Sequence, residues 1–409
     1  MSRVVLAMSG GVDSSVAAAL LREAGHEVIG LFMRHGHNDE AACATAGTCS
    51  APPYAENATH GEGRPLSGSF DAENAQGAGG GVPPTDAGQL PVVSQLAHKQ
   101  GCCTAADALD ARRVADRLGI PFYALNFERE FGRIMDYFVE EYLHGRTPNP
   151  CVVCNNWLKF GALIRYADSV GAQYIATGHY ARLRPAEDGI ALCRGRDPDK
   201  DQSYVLFGID RRVLPRLLFP VGDYTKVEIR RRARQLGLRV ADKKDSQEIC
   251  FVTRGHYSDF VRQRSGTSPR GGQIVTTRGE VVGSHQGIEA FTVGQRKGLN
   301  VALGEPYFVV RLEPDTRRVV IGRRDELARA RFTACRANWL AEPDSAVFDC
   351  HVKTRYRSPL LQAGIELLGD QRFAVRLREP ACGIAPGQAV VCYAGDRVLG
   401  GGWIESDAS

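Results

Sequence analysis

The sequence predicts an α/β protein in three parts: an N-terminal doubly wound parallel-sheet domain over residues 1–210, a small mixed central domain over 211–327 and a C-terminal β-barrel over 328–409. Two observations carry this expectation. In the first part short apolar runs alternate with amphipathic stretches, the order in which parallel strands and their covering helices follow one another. From Gln273 onward, apolar runs of strand length recur between Gly, Asp and Pro turns, which fits a barrel or a sandwich. With 409 residues, 43% of them hydrophobic, the chain has material for about two or three cores.

Taken in order, the predicted elements are a strand at Val4–Ala7, a helix from Ser14, a strand at Val28–Met33, a helix over Thr104–Leu118 and a strand at Phe122–Leu125. Thr104 and Asp107 have the spacing of a capping box, and Gly119-Ile120-Pro121 stops that helix. Helices are expected over Phe131–Leu143 and Trp157–Tyr166, then a strand at Tyr174–Ala176 leading into Thr177-Gly178-His179-Tyr180. Residues 35–99 break the pattern: rich in Gly, Ala, Pro, Asn and Ser and without an apolar face, they read as a flexible surface insertion. Thr225 and Glu228 form a second capping box, with Gly237 after the last turn. Strands follow at Gln273–Thr276, Glu280–Val282, Tyr307–Leu312 and Arg318–Ile321, and the pattern continues over Phe332–Ile404.

Composition excludes several classes. No run approaches the roughly 20 apolar residues of a membrane helix, and the N-terminus lacks the features of a secretory leader. A cytoplasmic location without membrane contact is therefore expected. In that compartment the twelve cysteines should be mostly reduced. The net charge of +4 does not require a nucleic-acid partner, although clusters such as Arg230-Arg231-Arg232 could contact phosphate.

The most informative stretch is Ala7-Met8-Ser9-Gly10-Gly11-Val12-Asp13-Ser14-Ser15, between the first strand and its helix. A glycine turn at a helix N-terminus offers unpaired N–H groups and partial positive charge to an anion, and the serines add hydroxyl donors. The spacing resembles the SGGxDS pyrophosphate loop of the ATP pyrophosphatase superfamily, which implies cleavage of ATP between its α and β phosphates and activation of a substrate oxygen as an adenylate.

Two cysteine sites could carry sulfur chemistry. Cys151 and Cys154 follow the proline-stiffened turn Thr147-Pro148-Asn149-Pro150, just before the helix expected near Trp157, where a helix N-terminus favours thiolate. Cys250 follows Lys243-Lys244-Asp245, and the two lysines could favour its thiolate as well. If the sites meet, one cysteine could hold a persulfide and the other resolve it as a disulfide. Zinc on Cys151, Cys154, Cys102 and Cys103 and an iron–sulfur cluster on Cys151, Cys154 and Cys250 are the competing readings. No metal ligand is assigned. Cys193, Cys335, Cys350 and Cys392 sit in strand-like apolar contexts and read as core residues.

With these blocks assembled, together with Lys200-Asp201-Gln202-Ser203-Tyr204, Phe291 through Leu299, Arg355-Tyr356-Arg357 and Pro386-Gly387-Gln388, the chain resembles the tRNA-specific 2-thiouridylase family everywhere except the insertion. That resemblance implies ATP, with Mg2+, held by Ala7, Met8, Ser9, Gly10, Gly11, Val12, Asp13, Ser14, Met33 and Gly178. It implies Cys154 as nucleophile, Cys250 as persulfide carrier, and Asn149, Pro150 and Cys151 beside the target base. His179, Lys200, Asp201, Gln202, Arg355, Tyr356 and Gln388 would contact tRNA. Cys151 departs from members that carry Asp there, so an acid/base role for that Asp does not transfer. The implied partners are tRNA and a persulfide-carrying sulfur-relay or cysteine desulfurase protein, with the enzyme itself a monomer. An amide synthetase of the same superfamily, using ammonia, and a non-catalytic RNA-binding module are the alternatives.

Overall fold

A computed structural model describes residues 1–34, 104–245, 249–252 and 255–406. The predicted insertion at 35–99 and Cys102 and Cys103 lie outside the described residues. The first unit is a parallel sheet of five strands in the order β3-β2-β1-β4-β7, with β1 at Arg3–Ala7, β2 at Glu27–Arg34, β3 at Phe122–Asn126, β4 at Tyr174–Thr177 and β7 at Leu217–Leu218. Buried on both faces, β1 is continuously apolar, as a central parallel strand must be. Val5 and Ala7 join one core and Val4 and Leu6 the other. On the second face lie α1 (Val12–Glu23), α2 (Ala105–Leu118) and α6 (Lys226–Gln235), contributing Val16, Ala111, Val114, Ile229 and Ala233. The first face is covered by α3 (Glu128–Leu143) and α5 (Leu163–Ser169), through Phe131, Ile134 and Leu163.

Both expected capping boxes form, Thr104 with Asp107 and Thr225 with Glu228. Two expectations shift. The helix expected from Trp157 starts earlier, as α4 (Pro150–Val153), runs on as a π-helical stretch over Cys154–Ala162 and ends as α5. Pro150 occupies the first helical position, where its missing N–H costs nothing, and the Asn149 side chain accepts from the Val152 N–H at 3.4 Å. What the sequence suggests as a stiff turn is thus a helix start, with Cys151 in its first turn. The chain beyond residue 210 also continues the first unit, since β7 pairs with β4 and Ile229 and Ala233 of α6 are fully buried beside α1.

α7 (Tyr257–Ser265) leads into a four-stranded sheet ordered β10-β11-β8-β9, from β8 (Gly272–Thr276), β9 (Val281–His285), β10 (Phe308–Glu313) and β11 (Arg318–Gly322). The last unit is a barrel, not a sandwich. Its strands are β12 (Ala328–Trp339), β13 (Val347–Lys353), β14 (Leu361–Gly369), β15 (Arg372–Cys382), β16 (Ala389–Ala394) and β17 (Arg397–Ile404), in the order β12-β15-β14-β13-β16-β17, and β17 closes on β12. Phe373, Val375, Val390 and Cys392 fill its interior. Cys193, Cys350 and Cys392 are buried as expected, whereas Cys335 is half-buried.

The barrel is docked on the first unit. A hairpin of β5 (Ala181–Ala186) and β6 (Gly189–Arg194) reaches β17 at Cys193 and Arg397, and the fully buried Tyr204 donates its hydroxyl to the Ala389 carbonyl at 3.0 Å. The Asn338 amide donates to the carbonyls of Phe207 and Ile209. Tyr204→Phe removes a buried donor while keeping the ring, so it should cost about 1–3 kcal/mol. Earlier proteolytic cutting between first unit and barrel, or a lower denaturant midpoint, would show it.

Candidate active site

The strand order reverses at β1: the chain adds β2 and β3 on one side and then β4 and β7 on the other. In open parallel sheets ligands bind at such a reversal, outside the carboxyl ends of the strands. Here those ends are Ala7 and Thr177, which are register partners. The expected nucleotide residues Met8 to Ser14 and Gly178 follow directly from them.

The turn is built by close backbone approach. Gly10 has φ +70°, and a Cβ there would stand 2.1 Å from the Asp107 carbonyl oxygen at the start of α2. A Cβ on Gly178 would stand 2.7 Å from the Ser14 backbone nitrogen. Gly11 is the N-cap of α1, with no side-chain cap on the helix amides. Ser14 Oγ accepts from the Ser9 N–H at 3.2 Å and Ser15 Oγ donates to the Gly11 carbonyl at 2.8 Å, so the serines brace the turn. Uncapped amides, the helix dipole and a cradle without side chains suit a polyphosphate. Met8 is buried and Met33, on β2, packs beside the first core.

Asp13, the carboxylate of the turn, is held from two directions. The Tyr180 hydroxyl donates to it at 2.7 Å, and Lys226 Nζ lies 2.7 Å from Oδ2. The same ammonium, only 10% exposed, reaches Asp245 Oδ1 at 2.8 Å. Asp245 also receives Lys200 at 2.8 Å and Arg230 at 3.1 Å. Burial works to raise the Asp245 pKa, but hydrogen bonds from Lys200 and Lys226 outweigh it and hold the carboxyl below its ordinary range. Lys243, expected to favour a Cys250 thiolate, is engaged elsewhere: Nζ donates to the Gly10 carbonyl at 3.0 Å and to Asp107 and Asp110 at 2.7 Å each. It braces the nucleotide turn instead.

Cys151 is exposed and Cys154 and Cys250 are half-buried. Cys154 and Cys250 pack against the same apolar cluster, which contains Phe131, Val152, Val153 and Leu158. Asn149, before Pro150, gives its backbone N–H to the Tyr137 hydroxyl at 3.3 Å. Gln388 at the start of β16 donates to the carbonyls of Thr147 and Pro148 at 3.1 and 3.0 Å, so the barrel fixes this loop. Tyr356, whose hydroxyl is pushed up to about 12 by burial and Asp201, lies 6.3 Å from the Tyr204 ring. Among the described residues, no three His, Cys, Asp or Glu side chains are grouped as metal ligands.

Of the residues expected at RNA, Lys200 is 34% exposed and Arg355 half-buried, donating to the Val293 carbonyl. Lys200 is paired with Asp245, and Asp201, Gln202 and His179 are likewise engaged within the protein. Asp201, 1% exposed, accepts from the N–H groups of Gly195 and Ser203, and Gln202 accepts from the Tyr180 N–H. His179 is buried between Thr177, Lys159 and the rings of Phe160 and Phe219, and burial, aided by Lys159, holds its pKa well below the ordinary value. It is a neutral core imidazole. Sequence reasoning missed Lys226, because a lysine in a first helical turn reads as solvated until the fold puts a carboxylate beside it, and the bracing role of Lys243, because Asp107 and Asp110 lie far from it along the chain.

Three family models cover the described fold: the tRNA methyl transferase HUP domain matches residues 2–60 and 90–254, the tRNA methyl transferase PRC-barrel domain 258–323, and the aminomethyltransferase beta-barrel domain 329–404. The tRNA-specific 2-thiouridylase MnmA of Rhodopirellula baltica is 51% identical, over 99% of this chain and 96% of that protein. The protein of the same name from Geobacter metallireducens is 43% identical, over 99% of this chain and 97% of its own length. The chain belongs to the tRNA-specific 2-thiouridylase family.

The glycine turn makes a direct prediction. Gly178→Ala forces β4 and α1 apart and should weaken ATP binding about tenfold or more, equivalent to about 1.4 kcal/mol. Calorimetric titration checks it, with Gly132→Ala, where the nearest atom is a side-chain nitrogen at 3.7 Å, as the control expected to bind normally.

Proposed function

We propose that this protein catalyses ATP-dependent 2-thiolation of the wobble uridine of tRNA, releasing AMP and pyrophosphate. The carrying observation is the phosphate-type glycine turn at the sheet's reversal point, in a chain that also carries Cys154 and Cys250 and is 51% identical to a 2-thiouridylase over 99% of its length.

The chemistry requires both halves. The C2 carbonyl of uridine has a poor leaving group, and ATP, with magnesium carried largely by its phosphates and water, supplies the activation by converting that oxygen into a phosphate ester. The amides of Val12 to Ser14 and the braced turn at Gly10 orient the triphosphate, while Asp13 offers the one carboxylate of the turn. Asn149, Pro150 and Cys151 border the base, and Lys200, Arg355, Tyr356 and Gln388 stand on the RNA side, joined by His179, Asp201 and Gln202 as supports. A wobble base lies in a single-stranded loop and can be splayed into such a pocket.

Sulfur arrives as a persulfide on Cys250 from a sulfur-relay or cysteine desulfurase protein. Its terminal sulfur forms a bond to C2 as AMP leaves, and Cys154 thiolate then attacks the Cys250 sulfur, releasing the thiocarbonyl and leaving a Cys154–Cys250 disulfide. A two-electron thiol reductant resets the pair. The enzyme works as a cytoplasmic monomer without a resident metal, the first unit carrying nucleotide and sulfur, the central unit and barrel holding RNA.

In cells whose only copy is Cys250→Ser, mass spectrometry of tRNA should find 2-thiouridine gone, and a normal level would overturn the assignment. Thiolation surviving the Cys154→Ser, Cys250→Ser double substitution would favour ammonia-type adenylate chemistry instead. Anaerobically purified protein should contain far less than one iron per chain; stoichiometric iron with acid-labile sulfide would replace the persulfide route by a cluster.

A further inference from the structure

Among the described residues, Lys159 is a cation that no carboxylate neutralises. It sits half-buried in the π-helical stretch, where its ammonium meets His179 Nε2 at 3.4 Å. Lys200, Lys226 and Lys243 each have at least one carboxylate partner by contrast. The imidazole cannot take that role. An ammonium only donates, so Nε2 accepts from it, while the ring proton is on Nδ1 and goes to Thr177 Oγ1 at 2.5 Å, which leaves the ring neutral. Holding a charge unpaired and partly out of water costs free energy, and such a charge is a candidate for a ligand of opposite sign.

Its place in the fold decides which anion. His179 follows Gly178, which packs against Ser14 at the start of α1, and Thr177 is the register partner of Ala7 at the entry to the glycine turn. Phe219, whose ring centre is 6.0 Å from that of His179, lies just past the end of β7. The ammonium is therefore at the carboxyl edge of the sheet, two contacts from the glycine turn. Along its own helix Lys159 follows Cys154 by five residues. With i→i+5 bonding that is about one turn, so the two fall near one side, whereas 3.6 residues per turn would carry Lys159 about 140° round from Cys154.

We propose that Lys159 binds the α-phosphoryl group of the nucleotide, between the glycine turn and Cys154. This deepens the functional reading above and rests on it. When pyrophosphate leaves, the α-phosphorus becomes bonded to the uridine O2; when sulfur bonds to C2, the C2–O bond breaks and its electron pair goes to AMP. A cation fixed at that phosphoryl group offsets the charge in both steps. Lys226 and Lys243, the lysines bonded to the glycine turn, are already spent on carboxylates.

The test is calorimetric titration of the full-length protein and its Lys159→Met and Lys159→Arg variants with AMP and with adenosine, which differ only in the phosphoryl group. Lys159→Met should weaken AMP binding about tenfold, equivalent to about 1.4 kcal/mol, and leave adenosine within about twofold, while Lys159→Arg should restore most of the AMP affinity. Should Lys159→Met fail to fold, Lys159→Gln removes the charge while keeping length and polarity, with the same expectations. The proposal is overturned if AMP and adenosine weaken in proportion, if AMP affinity is unchanged, if the native protein does not prefer AMP to adenosine, or if Lys159→Arg behaves like Lys159→Met. Unchanged AMP affinity together with a raised pH midpoint for alkylation of Cys154 would make the thiolate the anion that Lys159 serves, and so overturn it. A protein that holds AMP through Lys159 yet makes no 2-thiouridine would count against the functional reading alone, since nucleotide binding does not depend on sulfur transfer.

Discussion

At the end of β1 three backbones meet with no side chain between them, and the remainder of the site is arranged around that contact. Gly10 lies under the first turn of α2 and Gly178 lies against the start of α1, each closer than any Cβ allows. The contact brings β1, β4, α1 and α2 to one point at the reversal of strand order, and it leaves the amides of α1 facing outward. A helix N-terminus is an anion site only if nothing already fills it, and Gly11 as an N-cap without a side-chain bond satisfies that condition. The capped helices α2 and α6 show the contrast: Thr104 and Thr225 close their own first turns.

Around this neutral backbone core the charges are paired inward. Lys226, Asp13, Asp245, Lys200 and Arg230 form one network, and Lys243 with Asp107 and Asp110 forms a second on the other side of Gly10. Partly buried pairs of this kind are poor sources of net stability, because desolvation offsets most of the attraction. Their removal is another matter, as breaking one leaves a partner unneutralised at about 3–5 kcal/mol for a fully buried case and less at this exposure. The network is therefore better understood as specifying geometry than as stabilising the fold. It joins the glycine turn to α6 and to the chain at Asp245, where an apolar contact would tolerate sliding and an ion pair with two hydrogen bonds does not.

Local rules made much of this legible. The turn at Ser9 to Ser14, the two capping boxes and the strands of the later units follow from spacing alone, and the structure has them within a few residues. What was not legible depends on partners far along the chain. Lys226 and Asp13 are 213 residues apart, and nothing near either residue announces the other. The same holds for Gln388 and Thr147, and for Asp201, whose polar character suggests a surface role although its oxygens are spent on Gly195, Ser203 and Arg194. A motif block marks residues that matter together; it does not say which face the ligand and which hold the loop that does. His179 illustrates the point, since its block lies against the glycine turn through Gly178 and its side chain is packed among Phe160, Phe219 and Thr177.

The π-helical stretch at Cys154–Ala162 is the clearest place where local preference yields to the site. A π-turn widens the helix and is ordinarily a single turn, frequent where function requires an odd register. Here a longer run begins at the candidate nucleophile and is fixed by contacts that an α-helix of the same sequence would displace. Asn155, buried, donates its amide to the Val205 carbonyl at 3.0 Å. Asn156 lies so close to Gly208 that a Cβ there would stand 2.1 Å from its amide nitrogen, and Gly161 faces the Asn156 carbonyl with only 3.0 Å to spare for a Cβ. These anchors hold the 203–208 segment, which carries Tyr204 and thereby the barrel, against the helix that starts at Pro150. Changing the register would rotate Cys154 relative to Leu158 and Phe160 and break both amide contacts, so the irregular helix and the docking of the barrel constrain each other. The position of the Cys154 sulfur is in this sense a property of three segments, and only the first of them contains it.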